Sequence, residues 1–202
     1  MDVAVMERSV ETLSIVIPAF NEEQSLPFLR NEMETWARTQ AFRLELVMVN
    51  DGSRDRTAGL LDTWAADCTW VKVLHLSRNF GQQAALTAGL DHATGDAVVI
   101  MDSDLQDPLE VVPRMITLYQ EGYDMVYGVR SRREGETAMK RCTAWIYYRF
   151  VRALVHKNLP ADAGDFRLVS RKCLLAIRSM RETHRFMRGM FSWVGFRQTS
   201  VS

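Results

Sequence analysis

The stretch "DAVVIMDSDLQDP", Asp96 to Pro108, decides how this chain is read. Its first half is a short, continuously apolar run, the pattern of a strand buried on both faces. Directly after it come Asp102, Asp104 and Asp107. Carboxylates so close repel one another unless solvent, a cation or a hydrogen-bond network offsets the cost. A buried strand that ends in such a cluster points to a sheet with a polar rim.

The same rhythm runs through the preceding sequence. "LSIVIP" (Leu13 to Pro18), "LELVMVN" and "VKVLHLS" read as buried strands, and "YDMVYGV" as a fifth after the acidic stretch. Helical stretches lie between them: one ending near Trp36, then "AGLLDTWAA", the end of "RNFGQQAALTAGLDHA", and "LEVVPRMITLYQEG". Alternating strands and helices imply an α/β fold, a mostly parallel central sheet with helices on both faces. In such sheets ligands sit beyond the carboxyl ends of the strands. "AFNEE", "NDGSRD", "SRNFG" and "DSDLQD" all fall there, so four loops should converge on one rim.

From Ser131 the rhythm breaks. "RREGETAMKR" reads as a charged loop and "CTAWIYYRFVRALVHK" as a long amphipathic helix. "GDFRLVS" reads as a strand and "RKCLLAIRSM" as a helix, before the Gly/aromatic segment "FMRGMFSWVGF". The expected organisation is one domain over 1–202 with a C-terminal helical elaboration. A length of 202 residues with 47% hydrophobic content suits one such core.

The 25 basic and 25 acidic side chains balance, which argues against a nucleic-acid binder. Their distribution is uneven. Residues 1–129 hold 9 Lys/Arg and 20 Asp/Glu, whereas 130–202 hold 16 and 5. An acidic, cation-dependent site beside a surface that meets an anion or an anionic membrane fits this polarity better than two solvated faces. Cys68, Cys142 and Cys173 are odd in number and lack CxxC spacing, so neither a disulfide framework nor a zinc site is indicated. No run approaches the roughly 18 apolar residues of a spanning helix, and the N-terminus is not a secretory signal. The chain as given is not expected to cross a membrane.

Neither GxGxxG nor GxxxxGK[ST] occurs, so phosphate binding by a glycine-rich turn is a poor fit. Asp102 and Asp104 are two apart at a strand end, where alternate side chains point the same way if the backbone stays extended. With Gln106 next in that alternation, these hard oxygen ligands suit Mg²⁺ or Mn²⁺ carrying a diphosphate. An EF-hand is excluded, because the required Gly and closing Glu are missing. The competing reading is a solvated acidic turn that caps the following helix. Asp51 either accepts hydrogen bonds from a base or ribose or forms an Asx turn; ligand binding is preferred, with Asp55 as the helix cap.

Five ordered motifs carry a family resemblance: "SIVIPAFNEE", "VNDGSRDRT", "SRNFGQQAALTAGLDHATGD", "MDSDLQDP" and "GDFRL". Together they resemble the inverting family-two glycosyltransferases of GT-A fold, in particular the polyprenyl-phosphate glycosyltransferases similar to dolichyl-phosphate mannose synthase. The resemblance runs from about Leu13 to Phe196. It implies a nucleotide-sugar half over about 13–130 and an acceptor and membrane-facing half over about 131–202. It implies nucleoside contacts from Pro18, Phe20, Asn21, Glu22 and Asp51. Asp102, Ser103, Asp104 and Gln106 would hold the metal and diphosphate, Asp104 counting also as catalytic, and Arg130 would meet phosphate charge. Asp165 of "GDFRL" matches the catalytic Asp of the family, as base or orienter; the alternative is a partner for Arg167 or a turn residue. Members of this branch commonly continue into C-terminal membrane helices, and this chain stops at "RQTSVS" before that point.

The implied reaction moves a sugar from a nucleotide diphosphate, UDP favoured, to a polyprenyl phosphate at the cytoplasmic membrane face. Arg130, Arg132, Arg133, Lys140 and Arg141 form a basic cluster suited to the lipid phosphate. On the helix from Ala138 to Lys157, Arg141, Arg149, Arg152 and His156 make a basic stripe beside Trp145, Tyr147 and Phe150, as an interface-lying helix requires. An ordinary core helix or a homo-oligomer contact is the competing reading. Two alternatives stand beside the lipid acceptor: transfer to a saccharide hydroxyl, and nucleotide-sugar binding without turnover.

Overall fold

The computed structural model describes residues 8–129, 163–180, 182 and 185–201. Five strands precede the undescribed stretch: β1 (Thr12–Ala19), β2 (Arg43–Asn50), β3 (Val71–His75), β4 (Ala97–Ile100) and β5 (Met125–Val129). Helices α1 (Leu26–Ala37), α2 (Thr57–Asp67), α3 (Gln82–His92) and α4 (Val112–Gln120) connect them. After it come β6 (Ala163–Ser170), α5 (Arg171–Ser179), α6 (Met187–Trp193) and β7 (Gln198–Val201). The strands form one sheet in the order β3-β2-β1-β4-β6-β5-β7. Every neighbouring pair is parallel except those made by β6, which runs antiparallel to both β4 and β5. The mostly parallel α/β architecture expected from the alternating elements is what forms.

Side-chain alternation divides the core into two layers, one on each face of the sheet. Ile15, Ile17, Leu46, Met48 and Val99 pack with Leu29 and Met33 of α1, Trp64 of α2, and Met115 and Tyr119 of α4. Val16, Val47, Val49, Val98 and Ile100 pack with Leu86 and Leu90 of α3, Leu174 and Ile177 of α5, and Phe191 of α6. Two arginines of α5 tie that helix to the end of α3. Arg178 donates to the carbonyls of Leu90 and Ala93, and Arg171 to that of Ala93 at 3.1 Å, satisfying orphan C-terminal carbonyls of α3. Burial pushes the Cys173 thiol up to about 12, so it is an inert core group.

At the start of the strands a polar network gathers on a buried carboxylate. Glu45 of β2 accepts hydrogen bonds from Ser14, from the Thr94 N–H at 2.6 Å and hydroxyl at 2.7 Å, and from the Lys72 ammonium. Burial alone would raise its carboxyl, but the hydrogen bonds outweigh that cost and lower it to about 2.

At the opposite end the sheet opens between β1 and β4, where the strand order reverses. Pro18 shows why the chain tolerates an opening there. The Val16 carbonyl accepts from the Met101 N–H at 3.2 Å, whereas the Ala19 carbonyl accepts from the Asp51 N–H at 2.9 Å. Even-numbered positions of β1 therefore aim their backbone groups towards β4, and β4 ends at Ile100, opposite Val16. The N–H that Pro18 lacks would have pointed past the end of that strand.

Candidate active site

The four polar loops converge on this opening, and their side chains knit them together. In the loop after β1, Asn21 adopts φ 57°, its N–H donates to Ser53 Oγ at 3.0 Å, and its Oδ1 accepts from the Arg54 N–H at 2.9 Å. Glu22 accepts from Ser103 Oγ at 3.0 Å and from the Ser25 hydroxyl. Asp51 is buried, and its two oxygens accept from the N–H groups of Phe80 at 2.8 Å and Gly81 at 2.9 Å. Gly52 makes that clamp possible. It sits at φ 64°, and a Cβ there would lie 2.3 Å from the Arg78 carbonyl carbon and 2.6 Å from the Asn79 nitrogen.

Asn21, Glu22 and Asp51, expected as nucleoside contacts, thus hold the four loops against one another. Pro18 is half-buried beside them, and the ring of Phe20 is exposed on the rim. A second exposed ring, Phe80, lies under the guanidinium of Arg78 at 4.1 Å. Asp55 accepts from the Thr57 N–H at 3.0 Å in an Asx-type turn, one residue ahead of the expected capping place: the N-cap of α2 is Arg56 and has no side-chain cap.

The acidic stretch does not continue β4. The strand ends at Ile100 and the chain turns at 103–105, with Leu105 at φ 60°. The extended alternation expected to align Asp102, Asp104 and Gln106 is therefore absent, because local carboxylate–backbone bonds outcompete the pleat. Asp104 Oδ1 accepts from the Gln106 N–H at 3.1 Å, and buried Asp107 accepts from the Asp102 N–H at 3.0 Å. Asp107 is thus the brace of the loop. Asp104 and Gln106 are exposed, Asp102 is half-buried and Ser103 is buried. Among the described residues, no group of three or more His, Cys, Asp or Glu side chains gathers as a metal cluster. Asp102 and Asp104 still offer hard oxygen donors on the rim, the chemistry that Mg²⁺ and Mn²⁺ accept.

Asp165 reaches the same rim because β6 is reversed. Ile100 of β4 is opposite Arg167, and continuing that antiparallel register by two places brings position 165 opposite position 102. Strand β6 thus delivers its beginning, not its end, to the site. Asp165 is buried and is held by Arg188 of α6 through both oxygens, Nε to Oδ1 at 2.8 Å and Nη2 to Oδ2 at 3.1 Å. Arg167 lies under it, donating Nε–H to the Asp165 carbonyl at 3.3 Å, with its guanidinium 4.7 Å from the Phe191 ring centre. Burial lowers Arg167 to about 10, offset in part by Asp165, so it remains a cation at neutral pH. The Gln82 amide bridges the two sides, 2.9 Å from Asp102 Oδ1 and 3.5 Å from Asp165 Oδ2.

Arg188 carries no sequence motif that would single it out, whereas Gln82 lies inside "SRNFGQQAALTAGLDHATGD" without standing out there as a site residue. Gln82 directly follows the third rim loop, "SRNFG", as the first residue of α3, and that position is its signal. Arg130, Arg133, Lys140, Arg141, Arg132 and the helix expected over 138–157 lie outside the described residues.

The glycosyl transferase family 2 model matches residues 14–177, a span containing all four rim loops and Asp165. The chain belongs to glycosyl transferase family 2. Among curated relatives, it is 41% identical over 183 residues to a prophage bactoprenol glucosyl transferase homolog of Escherichia coli K12, covering 91% of this chain and 60% of the relative. The bactoprenol glucosyl transferase of Shigella phage SfX is also 41% identical, with the same coverage. YkcC of Bacillus subtilis, an uncharacterized glycosyltransferase, is 42% identical over 97% of this chain and 60% of its own length. The chain thus spans about 60% of the length of these family-2 relatives.

Solved structures confirm the GT-A fold of the family-2 chain. A mannosyltransferase of Pyrobaculum calidifontis in complex with GDP-Man and Mn²⁺ aligns with a TM-score of 0.63 at 21% identity, over 99% of this chain and 57% of that one. Glucosyl-3-phosphoglycerate synthase of Mycobacterium tuberculosis, with Mn²⁺, UDP and phosphoglyceric acid, aligns at 0.60 and 23% identity, over 82% and 58%. Among the described residues, no helix is long and apolar enough to cross a membrane.

Proposed function

We propose that this chain is the catalytic part of a glycosyltransferase that moves a sugar from a nucleotide diphosphate, a UDP-sugar foremost, to a polyprenyl phosphate with inversion. The reaction is placed at the cytoplasmic membrane face, with Mg²⁺ or Mn²⁺ as cofactor. Family membership and the bactoprenol names of the relatives support the reaction class. The UDP and Mn²⁺ bound in structural neighbours are consistent with the donor and the cation.

The observation that carries the acceptor choice is the Arg188 fork on Asp165. A hydroxyl acceptor must lose a proton during attack, so it needs a general base. A carboxylate with both oxygens engaged by a guanidinium is poorly placed to take that proton. A phosphate monoester, with a second pKa near ~6, is already largely anionic at neutral pH. It needs orientation more than deprotonation. Arg188 is well suited to that, being partly exposed and anchored by Asp165.

In this reading a phosphate oxygen of the lipid attacks the anomeric carbon. The bond from that carbon to the diphosphate breaks, its electron pair leaves on the diphosphate, and the configuration inverts. Asp102 and Asp104 would hold the divalent cation, which supplies Lewis-acid stabilisation to the leaving diphosphate when bound. Glu22 keeps Ser103, and with it the acidic turn, against the first loop. Asp165 orients Arg188 towards the acceptor.

The test is a panel of UDP- and GDP-sugars offered with a short polyprenyl phosphate or a saccharide acceptor, with Mg²⁺, Mn²⁺ or EDTA. Transfer only to the lipid phosphate, and only with a cation, is the expected result. Transfer to the saccharide, full turnover in EDTA, or donor binding without turnover would each overturn the corresponding part of the reading.

A further inference from the structure

We infer that Gln82 binds the sugar being transferred, reading one of its hydroxyl groups between the two carboxylates of the site. This rests on the glycosyltransferase reading above and adds a residue to it. The Gln82 Nε2 lies 2.9 Å from Asp102 Oδ1, on the side assigned to the leaving diphosphate, and 3.5 Å from Asp165 Oδ2, on the acceptor side. A sugar that departs from the first side and is attacked from the second occupies the gap this amide spans. A carboxamide offers both donors and an acceptor, the complement of a sugar hydroxyl. The longer contact, at the limit of a hydrogen bond, is the one a hydroxyl displaces at least cost.

The backbone beneath Gln82 is fixed. The Gly81 N–H is held by Asp51, and Gln82 opens α3, which buries Ala85, Leu86 and Gly89 against the sheet. The next residue, Gln83, accepts from the Met187 N–H at 2.9 Å, so the head of α3 also secures the segment that carries Arg188. Gln82 is exposed on this fixed base, with its amide turned to the reaction centre.

The experiment is calorimetric titration of the chain with UDP and with UDP-glucose in Mg²⁺, for wild type, Gln82→Ala and Gln82→Asn. GDP and GDP-mannose replace them if only the guanine pair binds. Loss of a hydrogen bond to the sugar should weaken nucleotide-sugar binding about tenfold in Gln82→Ala while the affinity for the free nucleotide stays within about twofold. Gln82→Asn, whose amide is one methylene short, should behave like Gln82→Ala. Equal weakening of nucleotide and nucleotide-sugar would reduce Gln82 to a loop brace and overturn the inference. So would unchanged affinity for both. A wild-type chain that binds neither nucleotide-sugar would overturn the donor reading itself.

Discussion

The guanidinium of Arg188 closes on both oxygens of Asp165, at 2.8 and 3.1 Å, across 23 positions of sequence and from a different element of the fold. Paired forks of this kind fix direction as well as charge. Arg188→Ala should lower kcat/KM for the lipid acceptor roughly 10- to 100-fold, the cost of one charge-assisted contact. Arg188→Lys should recover only part of it, because an ammonium keeps the charge and loses the fork. Steady-state kinetics with varied acceptor, at saturating donor, reads this directly. A loss seen equally in donor affinity would show that the pair merely holds the fold.

Asp102 and Asp107, five residues apart after β4, should separate cleanly on substitution. Asp102→Asn should abolish cation-stimulated turnover while leaving the unfolding midpoint nearly unchanged, because its carboxylate faces the rim. Asp107→Ala should lower stability by about 1–3 kcal/mol, since it strips a buried acceptor from the Asp102 N–H. Urea unfolding and metal titration of activity, run on both variants, distinguish the two.

Gly52→Ala combines a left-handed backbone with a Cβ driven into the Arg78–Asn79 backbone. The strain alone costs on the order of 1–3 kcal/mol. Relief requires the loop carrying Phe80 and Gly81 to move away from Asp51. The expected result is a lower thermal midpoint together with weakened nucleotide binding, measured by calorimetry on one preparation.

Glu45 provides a pH signature. Its folded carboxyl is lowered to about 2 from the ordinary 4.5, so the folded state binds this proton less readily than the unfolded chain does. Its contribution is present above about pH 4.5 and is lost as the pH falls through 2. Glu45→Gln should therefore be less stable than wild type at pH 7, with the gap shrinking as the medium is acidified. Denaturant midpoints at pH 7, 4 and 3 follow that gap.

Much of this fold is legible in the sequence because buried parallel strands write themselves as unbroken apolar runs, as in "VVIM" and "LVMV". The rim loops follow, since each begins where such a run stops. Local side-chain chemistry is harder to read. Asp104 and Asp107 bond to backbone within their own turn, which defeats the period-two alternation. Glu45 looks like an ordinary strand residue until Thr94, from a distant segment, closes on it. That Arg188 and Gln82 meet at one carboxylate is hidden for a topological reason. Their partner Asp165 comes from the one reversed strand among the described residues, and nothing in "GDFRLVS" states its direction.

That reversed strand also dictates when the centre of the molecule can be completed. Strand β6 is wedged between β4 and β5, both of which leave the ribosome before it. Until residues 163–170 have been synthesised and threaded home, the free edge of β4 is an unpaired apolar template for aggregation. The pairing with β4 closes a long loop, a slow, non-local step. Delivery of Asp165 to the rim and cover for the edge of β4 therefore both wait on the same late strand.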